Sequence, residues 1–500
     1  MIFWTVAILS VYLVLIFAVG IYSSQGAGKD TEAFFVANRQ LSWLQESMSV
    51  FTTMIPAAAL VGTIGLFYAS GANMLGYLIS YSFLLPLTYW YIGSRLRRLG
   101  RLKGYQTQAA FIGAFYQSAY LHWAVAIAGI VFSVPIILSQ VVSLGYLLNH
   151  YTGLPYGVAV LIFVAVSVGY TLKGGLRAVA NTDILHGVLL ILFLLGTIIV
   201  IVHHAGGIVN ILNTPKATVN SSGPGMQIFF AWTFYVGLAT CVQPDRAFRM
   251  YAVRDESNFR RGVIIGGAMT TICSLSFLII ALSVNSLAPR LMHTDTALVT
   301  GLGLAAPWLI PWFVMNAWGG GMSSFTAGML SVTNIFIKDI FEPWYAGQGK
   351  IISVEQRNKI TIITSRVFIL CLALLSLVVS AYPLPFIWAL INLTVGGLLQ
   401  LFPMFLFGFL WRSFTRFGAL SGWTIGVFCM CLWSFVLKPP LGPLAGVDAL
   451  IVNTLVSLGV SLLFPESKNI TEARDLLRSL AVADVDNLPA TSFMQAASAE

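Results

Sequence analysis

Residues 44–60 read Leu44-Gln45-Glu46-Ser47-Met48-Ser49-Val50-Phe51-Thr52-Thr53-Met54-Ile55-Pro56-Ala57-Ala58-Ala59-Leu60, and the stretch stays largely apolar to Ser70. It is long enough to cross a bilayer as a helix, which takes about 20 apolar residues. Yet hydroxyls and a proline sit near its middle. A mid-span proline removes one helical N–H and frees a carbonyl one turn earlier. Pro56 is therefore expected to liberate the carbonyl of Thr52, beside the Thr53 hydroxyl. Inside a hydrocarbon core each backbone polar group must find a partner within the protein. Either the helix bends at a simple proline kink, or it unwinds over 51–56 and offers hard oxygen ligands to a small cation and one wall of a solute site.

The rest of the chain makes the membrane setting plain. It is 58% hydrophobic and 9% charged, with a mean hydropathy of +0.85. A water-soluble chain of 500 residues needs far more polar surface than this. Apolar stretches fall at 2–23, 44–70, 73–94, 121–148, 155–172, 184–204, 227–243, 262–284, 304–340, 361–381, 386–411, 419–437 and 447–464. The expected fold is an all-α polytopic membrane protein with about 13 transmembrane helices. The 304–340 stretch is too long for one simple crossing and should tilt, break or run on past the membrane.

Basic residues give the orientation. One set of alternate connections, with the C-terminal tail, holds 22 of the 27 Lys and Arg, among them Arg97, Arg98, Arg101, Lys173, Arg177, Arg246, Arg249 and Arg474. The other set holds Lys216, Arg290 and Lys438. The N-terminus is expected outside and the C-terminus in the cytoplasm, in the plasma (inner) membrane. The net charge of +9 is then this bias summed over many loops, not a surface for nucleic acid. The first span has no basic residue before it and reads as a retained helix. The tail from about 465 to 500 reads as polar and mobile.

The membrane interior is notable for what it lacks. Acidic residues sit in loops, in the tail or near span ends, as Glu46, Asp183 and Asp339 do, so a carboxylate proton relay is disfavoured. The six histidines form neither a metalloprotease H-E-x-x-H nor any other hydrolytic motif, and an enzyme is not expected. No cofactor is implied. The five cysteines lie in or beside apolar spans and read as small packing residues.

Polar groups and helix-weakening residues occur at a second place, Trp318-Gly319-Gly320-Gly321-Met322-Ser323-Ser324-Phe325-Thr326. Successive glycines weaken a helix and permit close backbone approach. Gly320, Ser324 and Gly328 are four apart and share a face. That face reads as a small-residue packing seam, as a seam that points Ser323 and Ser324 at an ion, or as both. Interrupted helices at the midplane mark transporters built from inverted repeats. Spans two to six and seven to eleven form two sets of five, and an odd number inverts the second set. The broken second span would be matched by the seventh, around Ile228–Gly237.

Four stretches together resemble the sodium:solute symporters, the family of sodium-coupled proline, pantothenate, monocarboxylate and sugar transporters. They are Phe34-Phe35-Val36-Ala37-Asn38-Arg39; Gly174-Gly175-Leu176-Arg177-Ala178-Val179-Ala180-Asn181-Thr182-Asp183; Gly321-Met322-Ser323-Ser324 with Lys338-Asp339-Ile340-Phe341; and Gly408-Phe409-Leu410-Trp411 with Gly418-Ala419-Leu420-Ser421-Gly422. The loop at 174–183 and His204-Ala205-Gly206-Gly207 look most like the pantothenate and monocarboxylate branch.

The resemblance implies the inverted five-helix repeats of the bacterial leucine transporter. It divides the chain into a first span and loop (1–43), a first repeat (44–204), a second repeat with its outer loop (205–411), two further spans (412–464) and a tail (465–500). It implies sodium-coupled symport of a small organic solute, leaning to a carboxylate, by alternating access. A proton-coupled or facilitative carrier of the same fold is the alternative, and a channel a more distant one. The family's sodium site falls here on Thr52, Ile55, Gly320, Ser323 and Ser324, and its ion release path on Asp183. Solute contacts would come from Thr53, Ala57, Gln140, Trp232, Tyr235 and Asn392. The chain departs from the family at Met54, at Pro56 with its alanines, at Gly319-Gly320, and at His186, where many relatives have Gln. With no cation expected at mid-depth, half-helix N-termini and hydroxyls would have to hold a carboxylate.

Overall fold

The computed structural model describes residues 2–24, 30–221, 223–348, 353–381, 387–483 and 486. Lys29, Lys350 and the tail beyond 486 lie outside them. Among the described residues every regular element is a helix, and one isolated bridge joins Leu41 to Val253. Local chemistry starts several of the helices. Ser42 and Gln45 form a reciprocal capping box before Trp43–Thr53, and Ser353 and Gln356 do the same before Val354–Ser380. Asp255 caps Glu256–Leu287 through the Asn258 N–H.

Nine described helices are long and apolar enough to cross a membrane, or ten if the bent pair Pro224–Thr240 and Pro244–Met250 is one span. This measure does not return the expected thirteen. Two of the helices it counts once are interrupted. Tyr156–His204 has 49 residues, about 74 Å at 1.5 Å per residue against a hydrocarbon core of about 30 Å. Gly175 breaks it with φ 53° and ψ −145°, and a Cβ there would meet the Phe34 carbonyl oxygen at 2.3 Å. Only glycine adopts that backbone freely. Ala59–Lys103 is broken in the same way by Gly71, at φ 58°. Ile310–Ile335, rich in Gly, Ser, Thr and Asn, is not among the nine. Thirteen crossings stays an expectation of the sequence.

Ile310–Ile335 is the centre of the molecule, and all its residues from Phe313 to Ile335 are buried. Ala119–Thr152, Tyr156–His204, Ile2–Ser23, Trp43–Thr53 and Pro244–Met250 pack around it. Many helices on the periphery keep large apolar side chains exposed, including Leu192, Ile199, Val367 and Phe428, as a lipid-facing surface requires. The central helix continues through a wider turn at Phe336–Phe341 into Glu342–Ala346.

The tail departs from the sequence reading. Lys468–Val482 is a helix. Its Arg474 is fully buried and donates to the carbonyls of Phe414 and of Arg412, the latter at 3.0 Å. Arg478 donates to the Gly408 carbonyl at 2.6 Å. Asp486 pairs with Arg97 at 2.9 Å and Arg101 at 3.3 Å. Arg478 satisfies a carbonyl in the last turn of Phe402–Leu410 and Arg474 two in the turn that follows, which a bare polar composition does not reveal.

Candidate functional site

The first interrupted span breaks over three residues. Trp43–Thr53 is helical, Met54 to Pro56 is not, and Ala57–Ser70 resumes the helix. The break is shorter than the expected 51–56, and the freed carbonyl is a different one. Thr52 O accepts from the Ile55 N–H at 3.2 Å in a tighter turn. Pro56, at ψ 162°, turns the next amide away, and Thr53 O loses its helical partner instead. That oxygen accepts from Arg246 Nη2 at 3.0 Å and from Ser324 Oγ at 3.1 Å.

The glycine seam of the central helix lies against this break. An ideal Cβ on Gly320 would stand 2.2 Å from the Ile55 carbonyl oxygen. Glycine alone lets the strand of unwound backbone approach so closely. One turn on, Ser323 Oγ lies 3.0 Å from Thr52 Oγ1 and 3.3 Å from Thr53 Oγ1. Thr52 donates to Met48 O at 2.9 Å and Thr53 to Ser49 O at 2.6 Å. Each threonine has one hydroxyl hydrogen, so both oxygens face Ser323 as acceptors. The structure thus brings together Thr52, Ile55, Gly320, Ser323 and Ser324.

Asp183 joins this group from the third side. It is fully buried, and its Oδ2 accepts from Ser49 Oγ at 2.6 Å and from Arg249 Nη2 at 3.4 Å. Its Oδ1 is buried without a hydrogen-bond partner. An orphaned carboxylate oxygen, with serine and threonine hydroxyls on the same broken span, is a donor set of hard oxygens. That set suits a small hard cation such as sodium, not a soft transition metal.

The second break was placed by the sequence around Ile228–Gly237. It comes later, at 241–243, between Pro224–Thr240 and Pro244–Met250, which are bent by 49°. Every residue of Pro244–Met250 is buried. Arg246 and Arg249, counted as loop charges, thus lie buried inside the bundle against the first break, where the sequence reading expected no cation. Arg249 donates to Ser49 O at 2.7 Å and Thr53 Oγ1 at 2.6 Å. Arg246 pairs with Asp245 at 3.0 Å and donates to the Gln243 side-chain oxygen. Buried guanidiniums persist only where carboxylates and carbonyls compensate them; for Arg249 all of those partners come from distant sequence, and for Arg246 the Thr53 carbonyl does. The available signal was Pro244 itself, a helix starter directly after an apolar span.

Two cavities border the break. The smaller, about 60 Å³, is lined by Pro56, Tyr77, Trp232, Tyr235, Arg246 and Asn392, among others. Tyr235 Oη donates to Asn392 at 3.1 Å, and Trp232 lies edge-on to Tyr235 with ring centres 5.7 Å apart. The larger, about 580 Å³, is lined by Ala57, Tyr146, His150, Asp295 and Phe313 with others. The six expected solute contacts therefore divide. Trp232, Tyr235 and Asn392 share the small cavity, Ala57 borders the large one, and Thr53 sits in the hydroxyl cluster. Gln140 lines neither. Its Nε2 donates to Ile136 O and Ser139 Oγ, while its Oε1 is buried without a partner. Sequence reasoning missed Arg246, Gln243, Tyr77 and Tyr81.

The profile of the sodium:solute symporter family matches residues 34–426. The chain is 26% identical over 457 residues to a sodium/pantothenate symporter of Haemophilus influenzae, covering 87% of this chain and 90% of that one. It is 25% identical over 431 residues to a sodium/pantothenate symporter of Escherichia coli (strain K12), covering 83% and 87%. A solved Na+-coupled sialic acid symporter, in a substrate-bound outward-open state, superposes with a TM-score of 0.78 at 17% identity, covering 93% of this chain and 98% of that one. At that identity the likeness is one of fold, and the fold is the leucine-transporter type.

Proposed function

The chain belongs to the sodium:solute symporter family, and from that premise we propose the solute class and the residues that carry it. It is a multi-pass membrane transporter, not an enzyme, and sodium is its coupling ion. The proposed reading is symport of a small organic carboxylate by alternating access. Its named relatives carry pantothenate, a carboxylate of the expected size.

The observation that carries the reading is the oxygen cluster where the Met54–Pro56 break meets the continuous central helix Ile310–Ile335. Thr52 Oγ1 lies 3.0 Å from Ser323 Oγ, Ser324 Oγ donates to Thr53 O, Ile55 O faces Gly320, and Asp183, whose Oδ1 is unpartnered, joins the same broken span through Ser49. In this reading sodium is held by Thr52, Ile55, Gly320, Ser323 and Ser324, and Asp183 lies on its way to the cytoplasm. Solute occupies the small cavity by Trp232, Tyr235 and Asn392. The repeats are 44–204 and 205–411, the N-terminus faces out, and the membrane is the plasma (inner) membrane.

Proteoliposomes test this. Radiolabelled pantothenate, proline, short monocarboxylates and a neutral sugar are offered with an inward sodium gradient, with a proton gradient alone, or with neither. Sodium-driven accumulation of a carboxylate supports the reading. Accumulation under the proton gradient alone would transfer it to a proton-coupled carrier of the same fold, and equilibration without accumulation to a facilitative one.

A further inference from the structure

The small cavity has a charge that its aromatic walls do not announce. Among the described residues lining it, Arg246 alone is ionic. Its residue is 5% exposed, so its charge is almost wholly withdrawn from water. The surroundings satisfy the guanidinium only in part. Nη1 donates to Gln243 and to Asp245 Oδ1 at 3.1 Å, and Nη2 to Thr53 O at 3.0 Å. The Nε–H is buried with no partner. Guanidinium has five N–H donors, so the side chain holds donors in reserve at the edge of an otherwise uncharged hollow.

We propose that Arg246 is the receptor for the solute's carboxylate, and that the solute head group competes with Asp245 for it. The inference rests on the carboxylate reading above and deepens it by naming the residue and the charge class. Guanidinium and carboxylate match in a two-point, charge-assisted contact that an ammonium cannot reproduce. The size of the hollow fits a head group. About 60 Å³ holds a few waters, since one needs roughly 10–15 Å³ on this measure. A carboxylate with its first carbons replaces those waters, and the remainder of the solute extends beyond the hollow. Charge limits the class further. One arginine, for which Asp245 already competes at 3.0 Å, supports no more than a single negative charge on the solute. It does not offset the two charges of a dicarboxylate or phosphate, each costly to desolvate. The walls are consistent with an anion: Tyr77 and Tyr81 bring phenol groups, and Asn392 brings an amide.

The test uses the purified full-length protein in sodium buffer and acid–neutral pairs: pantothenate against its alcohol analogue, proline against prolinamide, propionate against propionamide. Binding is read by titration calorimetry. The wild type should favour the acid by about tenfold or more in the pair that binds, the scale of one charge-assisted contact. Arg246→Gln should bring that preference close to unity. Arg246→Lys should keep part of it. Asp245→Asn should tighten acid binding several-fold, an opposite sign that does not depend on how well the Arg246 variants fold.

A wild type that binds no acid, or binds each neutral partner equally, overturns the proposal. So does an Arg246→Gln protein that keeps the preference, or an Asp245→Asn protein that binds acid no better. Sodium-driven uptake of a neutral solute would leave sodium symport standing while removing both the carboxylate reading and this role of Arg246. A retained acid preference in Arg246→Gln would leave the carboxylate reading standing and remove the residue alone.

Discussion

Arg246 and Ser324 donate to one atom, the carbonyl oxygen of Thr53, at 3.0 and 3.1 Å. One donor lines the small cavity and the other belongs to the hydroxyl cluster. The carbonyl released by the Pro56 break is therefore the point at which the proposed solute and ion sites touch. In a bilayer that oxygen needs a partner, and the protein supplies two from helices far apart in sequence.

Replacing Ser323 and Ser324 together by Ala tests the ion side. Two hard oxygens disappear while the volume hardly changes. The sodium concentration for half-maximal uptake should rise at least about tenfold, or about 1.4 kcal/mol, with the protein still present in the membrane. Unchanged sodium dependence would remove the assignment.

Gly320→Ala tests the seam. The new methyl would fall 2.2 Å from the Ile55 carbonyl oxygen, a backbone atom that cannot swing aside. Overpacking of this kind costs about 1–3 kcal/mol. Sodium affinity should fall by about tenfold or more. Gly303→Ala is the control, because nothing lies within 4 Å of its added Cβ. Equal behaviour of the two variants in sodium titrations would refute the close approach.

Asp183 and Arg249 are both fully buried and pair at 3.4 Å. Removing one leaves the other as an uncompensated buried charge, which typically costs about 3–5 kcal/mol. Asp183→Asn and Arg249→Gln should each lower the melting temperature more than the double substitution does. A strictly additive thermal-shift cycle would mean that the pair is not coupled.

Side-specific labelling checks the orientation. Asn220 and Gly104 are both exposed, so a cysteine at either position differs in the side it faces and not in access. An impermeant maleimide applied outside sealed right-side-out vesicles should label Asn220→Cys and spare Gly104→Cys. The reverse pattern would invert the topology.

Asp486 provides a pH prediction. Burial pushes its carboxyl up, but the Arg97 hydrogen bond, the Glu256 N–H and the charges of Arg97 and Arg101 outweigh that and hold it below the ordinary carboxylate range. A carboxylate lowered in the folded state stabilises above its unfolded pKa of about 3.9 and loses that contribution as pH falls through the folded value. Docking of the 468–486 segment should therefore be independent of pH from 5 to 8. Asp486→Asn should increase proteolysis of the tail across that range. A docking transition near pH 6 would point to some other group.

The membrane setting, the break before Pro56 and the glycine seam of the unbroken central helix were legible in the sequence because they are local. Hydropathy, a proline at 56 and glycines at 319–321 act on their own turns of helix. The face shared by Gly320 and Ser324 followed from a spacing of four, and the structure sets both residues against the broken span. The buried arginines were not legible. Charge counting assigns a short polar stretch such as Pro244–Met250 to a loop, and only packing turns it inward. Its charges become tolerable through Asp183, Ser49 and Thr53, which approach Arg249 from 66, 200 and 196 residues away. The sequence alone determined that the chain is built of apolar membrane-type helices and that one of them fails just before Pro56. Tertiary structure decided which carbonyl was freed, what satisfied it and where positive charge entered the core, because compensation of a buried charge depends on neighbours that one-dimensional order does not bring together.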